Sequence, residues 1–220
     1  AIIDSISSNR VVATFYREML RCSARYCAQK YTHAEELSMT CKLPFLQDTM
    51  LSPLIANEEL RDAIVNFIIL SPPSSFQHYI SPTGCPSLSS VDRAVPHCVA
   101  LLLHLACISC HESDSDAESE SDDPNATSVD SYLSHLSTVA SVWSEDVFVS
   151  RSGVLQQQFV TEFLLCPLRQ NLISQGDFQR GMTSDGTSLA STLVQGVTLR
   201  LDISLSQPIR MDGMRIAEAM

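Results

Sequence analysis

At 220 residues, 45% of them hydrophobic, the chain carries enough apolar material for a packed core, which excludes wholesale disorder. The formal net charge is −11, with 14 basic residues against 25 acidic ones, so the chain offers no basic footprint for a nucleic-acid backbone. The 7 glycines are sparse for a sandwich or barrel that turns every few residues, and a helical globular protein is the better reading.

Chain order gives a series of amphipathic helices. Val12, Phe15, Met19, Cys22 and Tyr26 recur at three- and four-residue steps, the spacing of one apolar helix face. A second helix is expected near Pro44, whose fixed φ suits a first turn. Asn57 is a candidate N-cap for a third, with Glu58 and Glu59 in its first turn and Leu60, Ile64, Phe67 and Ile68 facing inward. Ser71, Pro72 and Pro73 end it, and residues 71–90, rich in serine and proline, read as a loop.

The next helix is expected over Val91–Cys110, with Val95, Val99, Leu102, Leu103 and Ala106 inward and Pro96 either kinking it or marking its true start. Its apolar run, Val99 to Ala106, is far shorter than a bilayer span, and no membrane span is expected. Further helices are expected over Val129–Val142 and Ser144–Cys166, the latter with Leu155, Phe159 and Phe163 at helical spacing. A loop over 171–188 precedes a last pair, Leu189–Ser204 and Pro208–Met220. Val197, Leu199, Leu201, Ile203 and Leu205 also alternate as a strand would, but Leu189, Leu193, Val197 and Leu201 keep helical spacing, and helix is preferred.

Helix pairs, each too apolar on one face to stand alone, point to an all-α fold, a HEAT-like helical-repeat solenoid. Three segments are expected: a helical-repeat part over 1–110, an acidic serine-rich disordered loop over 111–128, and a second helical-repeat part over 129–220. Ala1 in place of an initiator methionine, and a helical pattern still running at Met220, are expected to mark a piece of a longer chain. The 8 cysteines lie in apolar helical segments, which favours buried thiols in a reducing compartment, and there the sequon at Asn125 carries no meaning.

Candidate chemistry is thin. His104, Cys107, Cys110 and His111 are zinc-ligand types, but on one helix Cys110 turns partly away, and no second pair waits elsewhere to close a tetrahedron. Core packing is the preferred reading of all four. Ser152 and Gly153 do not make a nucleophile elbow, and Gly176, Gly181 and Gly186 are too scattered for a phosphate-binding loop. No catalytic, cofactor or metal site is expected, and the protein reads as a non-enzyme.

The acidic run says more. Seven acids fall between Glu112 and Asp123 with no base among them, and removing them takes the charge from −11 to −4. Ser113, Ser115 and Ser119 each have an acid three residues on, and Ser121 is followed directly by two. That is the arrangement an acid-directed kinase needs, so these four serines are candidate phosphorylation and docking sites, with a solvated spacer as the equal alternative.

The most specific text lies at the end: Leu193-Val194-Gln195-Gly196-Val197-Thr198-Leu199-Arg200-Leu201-Asp202, then Pro208-Ile209-Arg210-Met211-Asp212-Gly213-Met214-Arg215-Ile216-Ala217-Glu218-Ala219. It resembles the telomere length regulation protein family, in which a helix ending in a "G-V-x-x-R-L-D-S-S" phrase leads into "P-x-(I/V)-R-x-x-G-M-x-(I/V)-A-E". Trp143 to Cys166, with its tryptophan, glutamine run and apolar helix, is similar more weakly. Arg200, Asp202, Arg210, Gly213, Met214, Ala217 and Glu218 carry the match and read as structural. Gly213 would let a neighbouring helix approach, and Arg210, Asp212 and Glu218 would order the turn between helices.

The resemblance implies a helical-repeat scaffold joined with two partners in a trimeric co-chaperone assembly, the TTT complex. That assembly matures phosphatidylinositol-3-kinase-related kinases with the heat-shock chaperone, in the cytoplasm or the nucleus. It also implies an acidic segment, phosphorylated by casein kinase two, that docks a chaperone adaptor. Ser113 to Asp123 is similar in chemistry but precedes the Gly-Met-Ala-Glu helix instead of following it.

Overall fold

A computed structural model describes residues 22, 51–70, 78–80, 84–112, 124–181, 183, 186–202 and 204–220. They are mostly helical, with one two-stranded antiparallel hairpin. The helices expected at Val12–Tyr26 and near Pro44 lie outside the described residues, except Cys22, which is helical and exposed. The acidic serines Ser113, Ser115, Ser119 and Ser121 lie outside them too.

The elements in order are α1 (Ser52–Ala56), α2 (Glu58–Leu70), β1 (His78–Ile80), β2 (Pro86–Leu88), α3 (Ser90–Glu112), α4 (Pro124–Trp143), α5 (Asp146–Arg151), α6 (Val154–Arg169), α7 (Gln175–Arg180), α8 (Leu189–Arg200) and α9 (Gln207–Ala219). Local signals account for most boundaries. Asn57 Oδ1 accepts the Leu60 N–H at 3.1 Å and so caps α2. Arg61 then reaches back, its Nη1 donating to the carbonyls of Leu54 and Ile55 at the end of α1. Ser89 Oγ accepts from Asp92 N at the start of α3.

Several expectations are corrected. The stretch over 71–90 holds a hairpin, with His78 paired to Leu88 and Ile80 to Pro86. Pro96 does not mark the start of α3, because it falls in the second turn of a helix already begun at Ser90. Ser144–Cys166 is two helices, parted at Ser152 and Gly153, whose extended backbone turns the chain. The loop over 171–188 contains α7, opened by a Ser174–Asp177 capping box. Helix α4 begins at Pro124, inside the segment assigned to the acidic loop, and α8 stops at Arg200, four residues early, with Leu201 and Asp202 exposed.

Helix α6 organises the fold. Every residue from Leu155 to Pro167 is buried, so the helix is enclosed on all sides. It packs against α2, β2, α3, α4 and α9, elements from both ends of the described chain. One hydrophobic cluster runs from Leu51 to Ile216 and joins residues before and after the acidic run. The helix ends in a Schellman turn, with Asn171 at a φ of 51° and the Leu172 N–H donating to the Pro167 carbonyl at 3.1 Å. Against it lies α3, whose window Asp92–Ser109 is long and apolar enough to cross a membrane by composition, yet is 67% buried inside the fold.

Candidate functional site

The sequence-level candidates disperse. His104 is half-buried, its ring set edge-on to Tyr132 with centroids 4.9 Å apart, and burial lowers its pKa. Cys107 is buried, and its Sγ lies 3.8 Å from Ser131 Oγ. The side chains of Cys110 and His111 lie outside the described residues, and no group of three or more His, Cys, Asp or Glu is placed to hold a metal among those described. Asp202 is exposed and accepts the Ser204 N–H at 2.8 Å, a turn contact that lowers its pKa. Met214, Ala217 and Glu218 face solvent and Arg210 is half-buried, so Glu218 is not placed to order the turn.

Arg200 and Gly213 behave otherwise: they meet. A Cβ on Gly213 would stand 2.8 Å from Arg200 Cβ, so only glycine lets α9 seat this closely on α8. One turn earlier, a Cβ on Gly196 would stand 2.3 Å from the Trp143 ring, which lets α4 approach α8. Between these two contacts the Arg200 guanidinium is wholly buried, 3.7 Å from the Trp143 ring centroid, where a flat cation meets the electron-rich face. Its Nη1 donates to the Gly196 carbonyl at 3.1 Å, while Nε and Nη2 have no hydrogen-bond partner among the described residues. Burial pushes the Arg200 pKa down to about 9, with Asp212 opposing.

Trp143 connects this joint to α6. Its Nε1 donates to Thr161 Oγ1 at 3.0 Å, and that hydroxyl donates to the Gln157 carbonyl. One residue on, Glu162 is 2% exposed and gathers bases from two other helices. His97 Nε2 lies 3.0 Å from Oε2, Arg215 Nη2 donates to Oε2 at 3.0 Å, Arg215 Nη1 lies 2.8 Å from Oε1, and Arg93 Nε lies 4.0 Å away. Burial works against the charge, but the hydrogen bonds from His97 and Arg215 overcome it and hold the Glu162 pKa down to about 2. Asp212, 3% exposed, sits 3.7 Å from Arg215, and its Oδ2 has no hydrogen-bond partner among the described residues. Burial pushes its pKa up to about 7; Glu162 adds to the rise, while Arg215, Arg200 and Arg93 resist it.

A second polar set sits one turn back on α6. Gln156, Gln157 and Gln158 are consecutive and all buried, and three successive side chains on a helix point roughly 100° apart. Gln156 Nε2 donates to the Ile68 and Ile69 carbonyls at the end of α2. Gln157 Nε2 donates to the Val149 and Ser152 carbonyls at the end of α5. Gln158 Oε1 accepts the Leu88 N–H of β2 at 3.0 Å. Three neighbouring amides thus hold three separate elements.

Neither set presents a nucleophile or an open reacting face. A glutamate held near 2 carries no proton to give near neutrality, and Asp212 is buried where α9 packs on α6 and α8. What the two sets do is join elements: α3, α6 and α9 meet through charged groups at Glu162, and α2, α5 and β2 through the glutamine amides. Beside them a surface cleft of about 150 Å³ lies between β2, α6 and α9, lined by Ser87, Gln158, Pro208 and Met211 among others. Sequence reasoning passed over Glu162, Arg93, His97 and Arg215. One signal was available, a lone acid inside the apolar run Phe159–Cys166, where burial without partners would be prohibitive. Comparison with protein-family models, with curated proteins and with solved structures yields no match.

Proposed function

We propose that this chain works as a non-catalytic, protein-binding scaffold of the kind its C-terminal phrase resembles, a telomere length regulation protein acting in the TTT co-chaperone complex. In this reading it is part of a HEAT-like helical array in the cytoplasm or nucleus. Its partners are the other subunits of that complex, phosphatidylinositol-3-kinase-related kinases and a heat-shock chaperone adaptor. What supports the reading is the phrase itself: of its matching residues, Gly196 and Gly213 mark two close helix–helix contacts, with the buried Arg200 between them, as residues that identify a structural repeat would. The phosphorylated docking segment is Ser113 to Ser121.

A second reading, a helical adaptor outside that family, is favoured by α6. In a stacked solenoid each helix meets mainly its neighbours, whereas α6 is enclosed by elements from both ends of the described chain. Affinity purification of the parent protein, followed by mass spectrometry, separates the two. The first reading expects large kinases and chaperone components, with only the chaperone adaptor lost when Ser113, Ser115, Ser119 and Ser121 are changed to Ala. Recovery of no large kinase sinks it and leaves the adaptor.

A further inference from the structure

We propose that α9 is a separable lid, closed by the Glu162 latch, which opens as a unit while α3, α4 and α6 stay packed. The two helices of the C-terminal hairpin differ in what fastens them. Helix α8, 12 residues long, buries Leu189, Leu193 and Val197 and packs on α4, α5 and α7 as well as α9. Helix α9, 13 residues long, buries only Ile209, Asp212, Gly213 and Ile216, and rests on α6 and α8. Two of those four are apolar side chains, one is a glycine and one a carboxyl, against three apolar side chains on α8, so apolar burial holds α9 somewhat less than α8.

Charge supplies the remainder. Arg215 reaches from α9 to Glu162 by contacts of 2.8 and 3.0 Å, in a site where Glu162 is 3% exposed on its side chain. The same carboxylate is also held by His97 and Arg93 of α3, contacts that do not involve α9. Closure also carries a cost. Asp212 Oδ2 and Arg200 Nε and Nη2 are buried without hydrogen-bond partners among the described residues, and opening would give them water. The connection is suited to a hinge, since Leu201, Asp202, Ser204 and Ser206 are all exposed. A latch that is strong at one point, beside groups better solvated when open, yields a local opening well below the cost of global unfolding.

Native-state hydrogen exchange of the full chain, read by mass spectrometry, tests this in Glu162→Gln and Arg215→Met. Glu162→Gln removes the charge from α6, whereas Arg215→Met keeps the side chain's apolar stem and touches α9 alone, so it serves if the first variant fails to fold. The expected result is that the α9 amides exchange about ten-fold faster or more in both variants and, in wild type and variants alike, open at lower free energy than the slowest amides of α3, α4 and α6. Slowest α9 amides that exchange together with those of α3, α4 and α6 in the wild type would make the network a global brace and overturn the proposal. So would α9 amides that exchange at the same rate with and without the latch, which is simple end-fraying.

Discussion

Helix α6 carries two polar sets one turn apart, and they fasten the fold by different physics. Gln156, Gln157 and Gln158 are neutral, and their amides hold backbone groups of three elements that do not share a partner. Glu162 is charged, and Arg93, His97 and Arg215 all converge on the same two oxygens. Neutral bonds to separate backbone groups are local and indifferent to pH. Charges crowded into a dry site depend on one another, and each answers to pH. The same helix therefore offers a fixed end and an adjustable end.

Trp143 bridges the two, so its removal should do the most damage. Its Nε1 binds Thr161 on the amide side, and its face carries Arg200 on the charged side. Trp143→Ala should cost about 4 kcal/mol in urea unfolding, from the void and from an arginine left without its aromatic seat. A loss below about 1 kcal/mol would mean that the two sets are not joined through this ring.

Glu162→Gln comes next, at about 2–3 kcal/mol, under the full cost of breaking a buried pair because its partners keep some contact with water. Its pH signature is the sharper test. The folded pKa of Glu162 is depressed to about 2, so its stabilisation is complete above about 4.5 and is lost as pH falls through 2. Asp212 runs the other way. Its folded pKa is raised to about 7, against Glu162 of α6, Arg200 of α8, Arg93 of α3 and Arg215 of α9, so its contribution is full below about 3.8 and lost as pH rises through 7. Calorimetric melting across pH 2–8 should show the acid decline missing in Glu162→Gln and the decline towards neutrality missing in Asp212→Asn. Parallel profiles in wild type and both variants would show that neither carboxyl is shifted as the burial argues.

Much of the frame was legible in the sequence. Asn57 before Leu60, and the spacing of Val95, Val99, Leu102, Leu103 and Ala106, marked a cap and a core face because both depend on neighbours along the chain. Gly213 was read as a close-approach residue, and the gap to Arg200 bears that out. Other features depend on contacts distant in sequence and left no local trace. Glu162 meets Arg215 across 53 residues, and Gln156 meets Ile68 across 88. The hairpin at His78–Ile80 hid among prolines because three-residue strands are too short to display a period. The boundary at Arg200 was missed for a different reason: Leu201 keeps the helical spacing although it is exposed, so periodicity alone ran past the true end.

The smallest effects should come from the amide set, and their arithmetic is the most discriminating. Gln156→Ala frees the Ile68 and Ile69 carbonyls, Gln157→Ala those of Val149 and Ser152, and Gln158→Ala the Leu88 N–H. Each should cost about 1–2 kcal/mol, the desolvation of a buried group left unpaired, tempered because the Gln156 and Gln157 Oε1 atoms are themselves without hydrogen-bond partners among the described residues. Because the three amides share no partner, the triple variant should lose the sum of the single losses to within about 0.5 kcal/mol. Glu162→Gln combined with Arg215→Met should fall well short of its sum, since either change alone already breaks the same contact. Chemical denaturation of both series on one protein settles the matter. Additive charges, or coupled amides, would reverse the roles assigned to the two ends of α6.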